Sequence, residues 1–222
     1  MTTASRPLDG PRRNAAAGKA DSLIVFLHGY GANGQDLFGL AGSLAPVLPG
    51  AAFAAPNAPD PCEMGGPGFQ WFGLMGPGGR MEIRESGADQ AAVPLAAFLE
   101  SELARHGLDA SRLALVGFSQ GTMMALHVGL RLTPGPAAIV GFSGMLVAPG
   151  RLDAEKRSTP PVLLVHGTAD SVVPFASLAQ AAGGLERAGI PVETLARPGL
   201  GHGIDEPGLR AAAGFLVKYL GR

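Results

Sequence analysis

Leu113-Ala114-Leu115-Val116-Gly117-Phe118-Ser119-Gln120-Gly121 is the stretch on which the reading of this chain turns. An apolar run of strand character enters G-x-S-x-G, and a helix-compatible segment, Thr122 to Leu132, follows at once. A serine on a sharp strand-to-helix turn holds its hydroxyl clear of the sheet, as in a nucleophile elbow. Glycines two before and two after it remove side chains that would collide with neighbouring backbone. The start of the following helix favours developing negative charge through its dipole and its free N–H groups.

The segments on either side repeat the alternation of strand and helix. Upstream, Ser22 to Leu27 is a continuous apolar run of strand length that ends in the glycine-rich loop His28 to Gly34. Gln35 to Leu44 suits a short helix closed by Pro46 and Pro49, and Ala51 to Ala55 a second strand. Ser86 to His106 keeps helical spacing, with Ser86 and Asp89 as a weak capping pair and Pro94 as a bend. Downstream, Ala137–Phe142, Pro160–Val165 and Val192–Ala196 read as strands, and Phe175–Ala188 and Pro207–Leu220 as helices. Apolar strands alternating with helices predict an α/β fold, a mostly parallel sheet with helices on both faces. Sites in such sheets form beyond the carboxyl ends of the strands. His28, Ser119, Asp170 and His202 all fall there.

Composition narrows the function classes. At 222 residues the chain is one domain of ordinary size. A net charge of −1 with only 16% charged residues implies no basic face strong enough to suggest nucleic acid, and none is expected as a partner. No run reaches transmembrane length, so no stable membrane insertion is expected. Cys62 is the single cysteine, which rules out an internal disulfide and suits a reducing compartment. With no signal-peptide core near the start, the expected location is cytoplasmic. Residues 1–20 read as a disordered lead-in and 21–222 as the single domain.

A serine nucleophile needs a base within hydrogen-bond reach, and His202 on its Gly-flanked loop is the candidate. The base needs a carboxylate to fix its tautomer, and Asp170 lies on the same rim. Asp205 is a rival, though three residues from His202 it suits capping of the last helix better. The order Ser119, Asp170, His202 is the order of an α/β-hydrolase. An oxyanion needs two donors. One is the backbone N–H of Gln120, and the other should come from the loop around Leu27-His28-Gly29. Ser143 lacks the second glycine at the right offset and reads as structural. His28 and His166 lack a partner at ligand spacing, so no metal and no cofactor is expected. Pro59 to Arg80 has no periodicity. Phe69, Trp71, Phe72, Leu74, Met75 and Met81, in the overlapping segment Cys62 to Met81, predict one wall of an acyl pocket, with Trp71 limiting its depth; a compact loop folded on its own aromatics is the plainer alternative.

Leu27-His28-Gly29-Tyr30-Gly31-Ala32-Asn33-Gly34-Gln35-Asp36, Gly117 to Gly121, His166 to Asp170 and Gly201-His202-Gly203-Ile204 resemble the phospholipase/carboxylesterase family, in its order and spacing. The resemblance implies an α/β-hydrolase with no large cap domain, a triad of Ser119, Asp170 and His202, and oxyanion donors at the N–H groups of Leu27 and Gln120. Trp71-Phe72 matches an aromatic pair of the family's long loop, after which the family often has Asp where this chain has Gly73. Family members are often dimeric, which leaves a homodimer open.

The resulting expectation is a serine carboxylesterase that cleaves small-molecule esters of short to medium acyl chain through an acyl-enzyme. An acyl-protein thioesterase or a lysophospholipase would use the same machinery. A ligand-binding protein that keeps the fold without turnover is the alternative from another class.

Overall fold

Ser22–Leu27, Ala138–Phe142 and Val162–Gly167 are buried at every position, and Leu113–Phe118 at all but its last. Runs without polar alternation can only lie between two covering layers, and these strands form the middle of one sheet. The computed structural model describes residues 7–76 and 82–221. In chain order the first half comprises β1 (Arg12–Arg13), β2 (Ser22–Leu27), α1 (Gly34–Phe38), α2 (Leu40–Leu44), β3 (Ala51–Ala54), β4 (Asp60–Pro61), β5 (Phe69–Gln70) and α3 (Glu85–His106). The second half comprises β6 (Leu113–Phe118), α4 (Gln120–Gly129), β7 (Ala138–Phe142), α5 (Leu152–Glu155), β8 (Val162–Gly167), α6 (Ala176–Arg187), β9 (Val192–Arg197) and α7 (Glu206–Leu220).

The main sheet has seven strands in the order β1-β3-β2-β6-β7-β8-β9. Every pairing is parallel except that of β1 with β3. Alternate residues of each strand feed opposite cores. Leu23, Val25, Leu115 and Leu164 pack toward Leu95 and Leu99 of α3, Leu126 of α4 and Leu185 of α6. Ile24, Phe26, Val140 and Val165 pack toward Leu37 of α1, Leu44 of α2 and Phe215 and Leu216 of α7. The predicted α/β layering is the observed one.

Several boundaries move. Within the stretch 1–20, expected as a disordered lead-in, the described residues 7–20 include the strand β1. Arg12 and Arg13 pair with Ala54 and Phe53, and Arg12 Nε donates to the buried Glu102 at 2.9 Å. Backbone pairing and a buried carboxylate hold a polar stretch that has no periodicity to announce it. The expected helix at Gln35–Leu44 is broken into α1 and α2. The pair Ser86 and Asp89 does not cap α3, whose N-cap is Arg84; Asp89 instead meets Arg151 and His127. The helix runs through Pro94 without interruption. The elbow helix starts directly after Ser119 and ends at Gly129, three residues short of Leu132.

Candidate active site

Ser119 sits between β6 and α4 with φ 54° and ψ −116°. That conformation is rare for a residue with a side chain and costs about 1–3 kcal/mol, so the surroundings must impose it. They do so by crowding. A Cβ on Gly117 would lie 2.4 Å from the Gly121 carbonyl oxygen, and one on Gly121 would lie 1.8 Å from the Leu27 carbonyl oxygen. The Ser119 N–H donates to the Phe142 carbonyl at 2.9 Å, and Thr122 Oγ1 lies 2.8 Å from the carbonyls of Gly117 and Phe142. The turn is thereby fixed to both strands beside it.

Asp170 lies three residues beyond β8, with its carboxylate fully buried. Its Oδ1 accepts the N–H groups of Val172 and Val173, each at 2.9 Å, and its Oδ2 lies 2.8 Å from His202 Nδ1. Burial pushes this carboxyl up, but the hydrogen bonds from His202, Val173 and Val172 outweigh it and hold the group below its usual value. An ionised Asp170 makes Nδ1 the protonated nitrogen of His202 and leaves Nε2 as the acceptor. His202 stands on the loop between β9 and α7 with its ring 4.8 Å from that of Phe118.

Ser119, Gln120 and His202 line one cavity of about 250 Å³. Its other walls are apolar, chiefly Leu74, Ile83, Met123, Met145, Val172 and Val173. Gly29 and Tyr30 line it as well. Gln120 is the first residue of α4, and N–H groups of a first helical turn have no intrahelical acceptor. Leu27 differs from expectation. It is the last residue of β2, paired with Gly117, fully buried and not on the cavity. In the loop that follows, Gly31 and Ala32 donate to Phe69 and Gly29, while the N–H groups of Gly29 and Tyr30 have no partner among the described residues.

The long loop contributes less wall than its aromatics suggested. Of Phe69, Trp71, Phe72, Leu74 and Met75, only Leu74 lines the cavity; Met81 lies outside the described residues. Trp71 is 1% exposed, and its Nε1 donates to the His28 carbonyl at 3.0 Å. Phe72 is in the core, Met75 is exposed, and Phe69 pairs with Ala32. The segment folds as a small antiparallel pair, β4 with β5, against the loop after β2. A large ring gains most where it is wholly removed from water, and here that place lies under the loop that follows β2.

With this geometry in hand, the phospholipase/carboxylesterase family matches residues 10–220. The chain belongs to that family. A probable carboxylesterase of Oryza sativa subsp. japonica is 31% identical over 220 residues, covering 93% of this chain and 80% of that protein. The crystal structure of esterase PE8 superposes with a TM-score of 0.91 at 43% identity, covering 97% of this chain and all of that one. Acyl-protein thioesterase 2 of Zea mays gives 0.76 at 26% identity, over 95% and 99% of the two chains. The α/β-hydrolase fold expected from the motifs is the fold of these neighbours.

The remaining polar residues of this family member have local tasks. His28 Nε2 accepts the Ala58 N–H at 2.9 Å, so Nδ1 carries the proton and donates to the Gly29 carbonyl at 2.7 Å. Burial holds its imidazole below the usual value, hence neutral. His166 Nε2 lies 3.0 Å from the Val173 carbonyl and 3.3 Å from Asp170 Oδ2, bracing the carboxylate from behind. Asp205 caps α7 through Gly208 and pairs with Arg197. Ser143 is buried near Gly203, with Oγ 3.5 Å from its carbonyl. Sequence reasoning missed Met123 on the wall, although a residue four after the serine must share its helix face. It also missed the Gln120 side chain, which accepts the Trp71 N–H at 2.9 Å and donates to the Phe72 carbonyl at 2.8 Å. Nothing in a local pattern signals that contact.

Proposed function

We propose that the protein is a serine carboxylesterase acting on carboxylic esters of short to medium acyl chain. The observation that supports this most is that His202, bonded to Asp170 at 2.8 Å, lines the same cavity as the strained Ser119. Ser119 Oγ attacks the ester carbonyl while His202 Nε2 takes its proton. The C–O bond to the alcohol breaks as Nε2 returns that proton to the leaving oxygen. Water, deprotonated by the same nitrogen, then cleaves the acyl-enzyme and frees Ser119. Asp170 holds the ring and stabilises the imidazolium. The oxyanion is met by the Gln120 N–H and by the backbone of Gly29 and Tyr30, which takes the part expected of Leu27.

Substrate size follows from the cavity. About 250 Å³ is small beside the ~300–1,000 Å³ of pockets for drug-sized ligands. No Lys or Arg stands among its described lining residues, so a neutral acyl chain suits it better than a phosphate headgroup. The likeness to the maize acyl-protein thioesterase supports a second reading, a thioesterase with the same residues in the same roles. A fluorophosphonate probe should label Ser119 stoichiometrically and block turnover of a butyryl ester. Unlabelled Ser119, or full activity after labelling, would sink the proposal. Matched ester and thioester substrates then choose between the two readings.

A further inference from the structure

Glu63 stands outside the cavity, on the exposed side of the long loop, yet it gathers the cavity's edges. Its Oε1 accepts the Leu74 N–H at 2.6 Å, the Met75 N–H at 3.0 Å and the Tyr30 hydroxyl at 3.0 Å. The Glu63 N–H in turn donates to Gln70 Oε1 at 2.8 Å. Leu74 and Tyr30 are wall residues drawn from segments more than forty positions apart in sequence, 74 against 30. Burial pushes the Glu63 carboxyl up, but the Leu74 and Met75 N–H groups, the Tyr30 hydroxyl and Arg84 together hold it below its usual value, so it is ionised. Burial, Cys62 and Glu63 push the Tyr30 phenol up, so it remains a neutral donor.

Space at Gly73 belongs to the same arrangement. A Cβ there would lie 2.9 Å from Glu63 Oε2. The carboxylate therefore fills the volume that a side chain at position 73 would occupy.

We propose that Glu63 is a positioning residue which, by tying Tyr30 to Leu74, sets the width of the cavity and thereby its preference for short acyl chains. This rests on the ester-hydrolase reading of the site. Because the carboxylate is open to water, its bonds add little to global stability. What they fix is the distance between two walls, and the same tie steadies the Gly29–Tyr30 backbone offered to the oxyanion. Without it the walls separate, short chains fill the space less well, and longer chains lose less.

The test is kcat and KM on acetyl, butyryl and octanoyl esters for the wild type, Glu63→Gln, Glu63→Ala and Tyr30→Phe, with thermal unfolding and fluorophosphonate labelling alongside. Glu63→Ala should lower acetyl kcat/KM about tenfold and octanoyl much less, while Tm moves little. Glu63→Gln should stay within about twofold of the wild type, because its amide oxygen still accepts the same donors. Tyr30→Phe, which keeps the ring and loses one bond, should fall between them, and it serves if Glu63→Ala does not fold. An equal fall on all esters with a lowered Tm would make Glu63 merely structural. An unchanged octanoyl-to-acetyl ratio in Glu63→Ala and Tyr30→Phe, with Ser119 still labelled, would overturn the positioning role alone. Failure of Ser119 to label in the wild type would instead remove the reading on which it rests.

Discussion

Asp170 and Glu63 are both carboxylates that collect two backbone N–H groups together with side-chain partners, yet they organise their loops by opposite means. Asp170 takes Val172 and Val173, two and three residues ahead, and is sealed from water while it does so. Glu63 takes Leu74 and Met75, eleven and twelve residues ahead, and stays exposed. The first is a local turn that holds the His202 ring from a low-dielectric setting, where each bond counts more. The second is a long-range tie whose energy is diluted by solvent and whose effect is geometric. The same functional group thus serves a sealed local turn in one loop and an exposed long-range tie in the other.

The largest effects should come from the sealed side. Ser119→Ala should lower kcat by about four to six orders of magnitude in a folded protein, with Ser143→Ala keeping most of its activity. The reverse pattern would move the nucleophile. Asp170→Asn should lower kcat by about three to four orders, since the amide cannot fix the same tautomer of His202. The pH dependence of stability sharpens the contrast. The Asp170 carboxyl is held below its unfolded value, so its contribution is present above the unfolded carboxylate range, ~3.9, and is lost as pH falls through the lower folded value. The Tm gap between wild type and Asp170→Asn should therefore shrink from pH 5 to pH 3. A gap that widened over that interval would contradict the depressed carboxyl. Glu63→Gln, exposed to water, should show little gap at either pH.

The same contrast explains what could be read from sequence. The elbow, the two Gly-flanked strand-end loops and the order Ser119, Asp170, His202 are local signals: an apolar run, a glycine pair, a polar residue just beyond. Parallel strands buried on both faces make them conspicuous, and β6 and β8 fall within two residues of expectation. Beyond Leu74, the wall and its supports were not legible, because Gln120, Glu63 and His28 act on partners 49, 11 and 30 positions away. Aromatic content in the long loop was a true signal of burial but not of what the rings would face. The edge strand β1 was missed for a related reason, since Arg12 and Arg13 owe their order to Glu102 and to the backbone of β3.

Trp71 tests that distinction directly. Wholly buried, with its indole N–H on the His28 carbonyl and its own N–H on Gln120, it supports the loop after β2 from beneath. Trp71→Ala should cost about 3–5 kcal/mol of stability, measured by denaturant unfolding. Activity should fall on every ester alike. A stable variant with only a shifted chain-length optimum would return Trp71 to the pocket.

The smallest effect should come from a residue that lines the cavity itself. Met123 is 3% exposed, lines the cavity and lies one helical turn beyond Ser119 on α4. Its side chain is flexible and polarisable, so it fits an acyl chain without dictating one shape. Truncation to alanine deepens the cavity on the rigid side of the cleft, whereas loss of Glu63 widens it on the tethered side. Apolar pockets discriminate by only ~1–3 kcal/mol per methylene, so Met123→Ala should raise octanoyl over acetyl kcat/KM by about tenfold and leave the pH profile unchanged. Met123 and Glu63 share no hydrogen bond among the described residues, so the logarithmic shifts of Met123→Ala and Glu63→Ala should add in the double variant to within about 0.5 kcal/mol. A double variant no more permissive than either single one would mean that one wall governs chain length, and that the other only follows it.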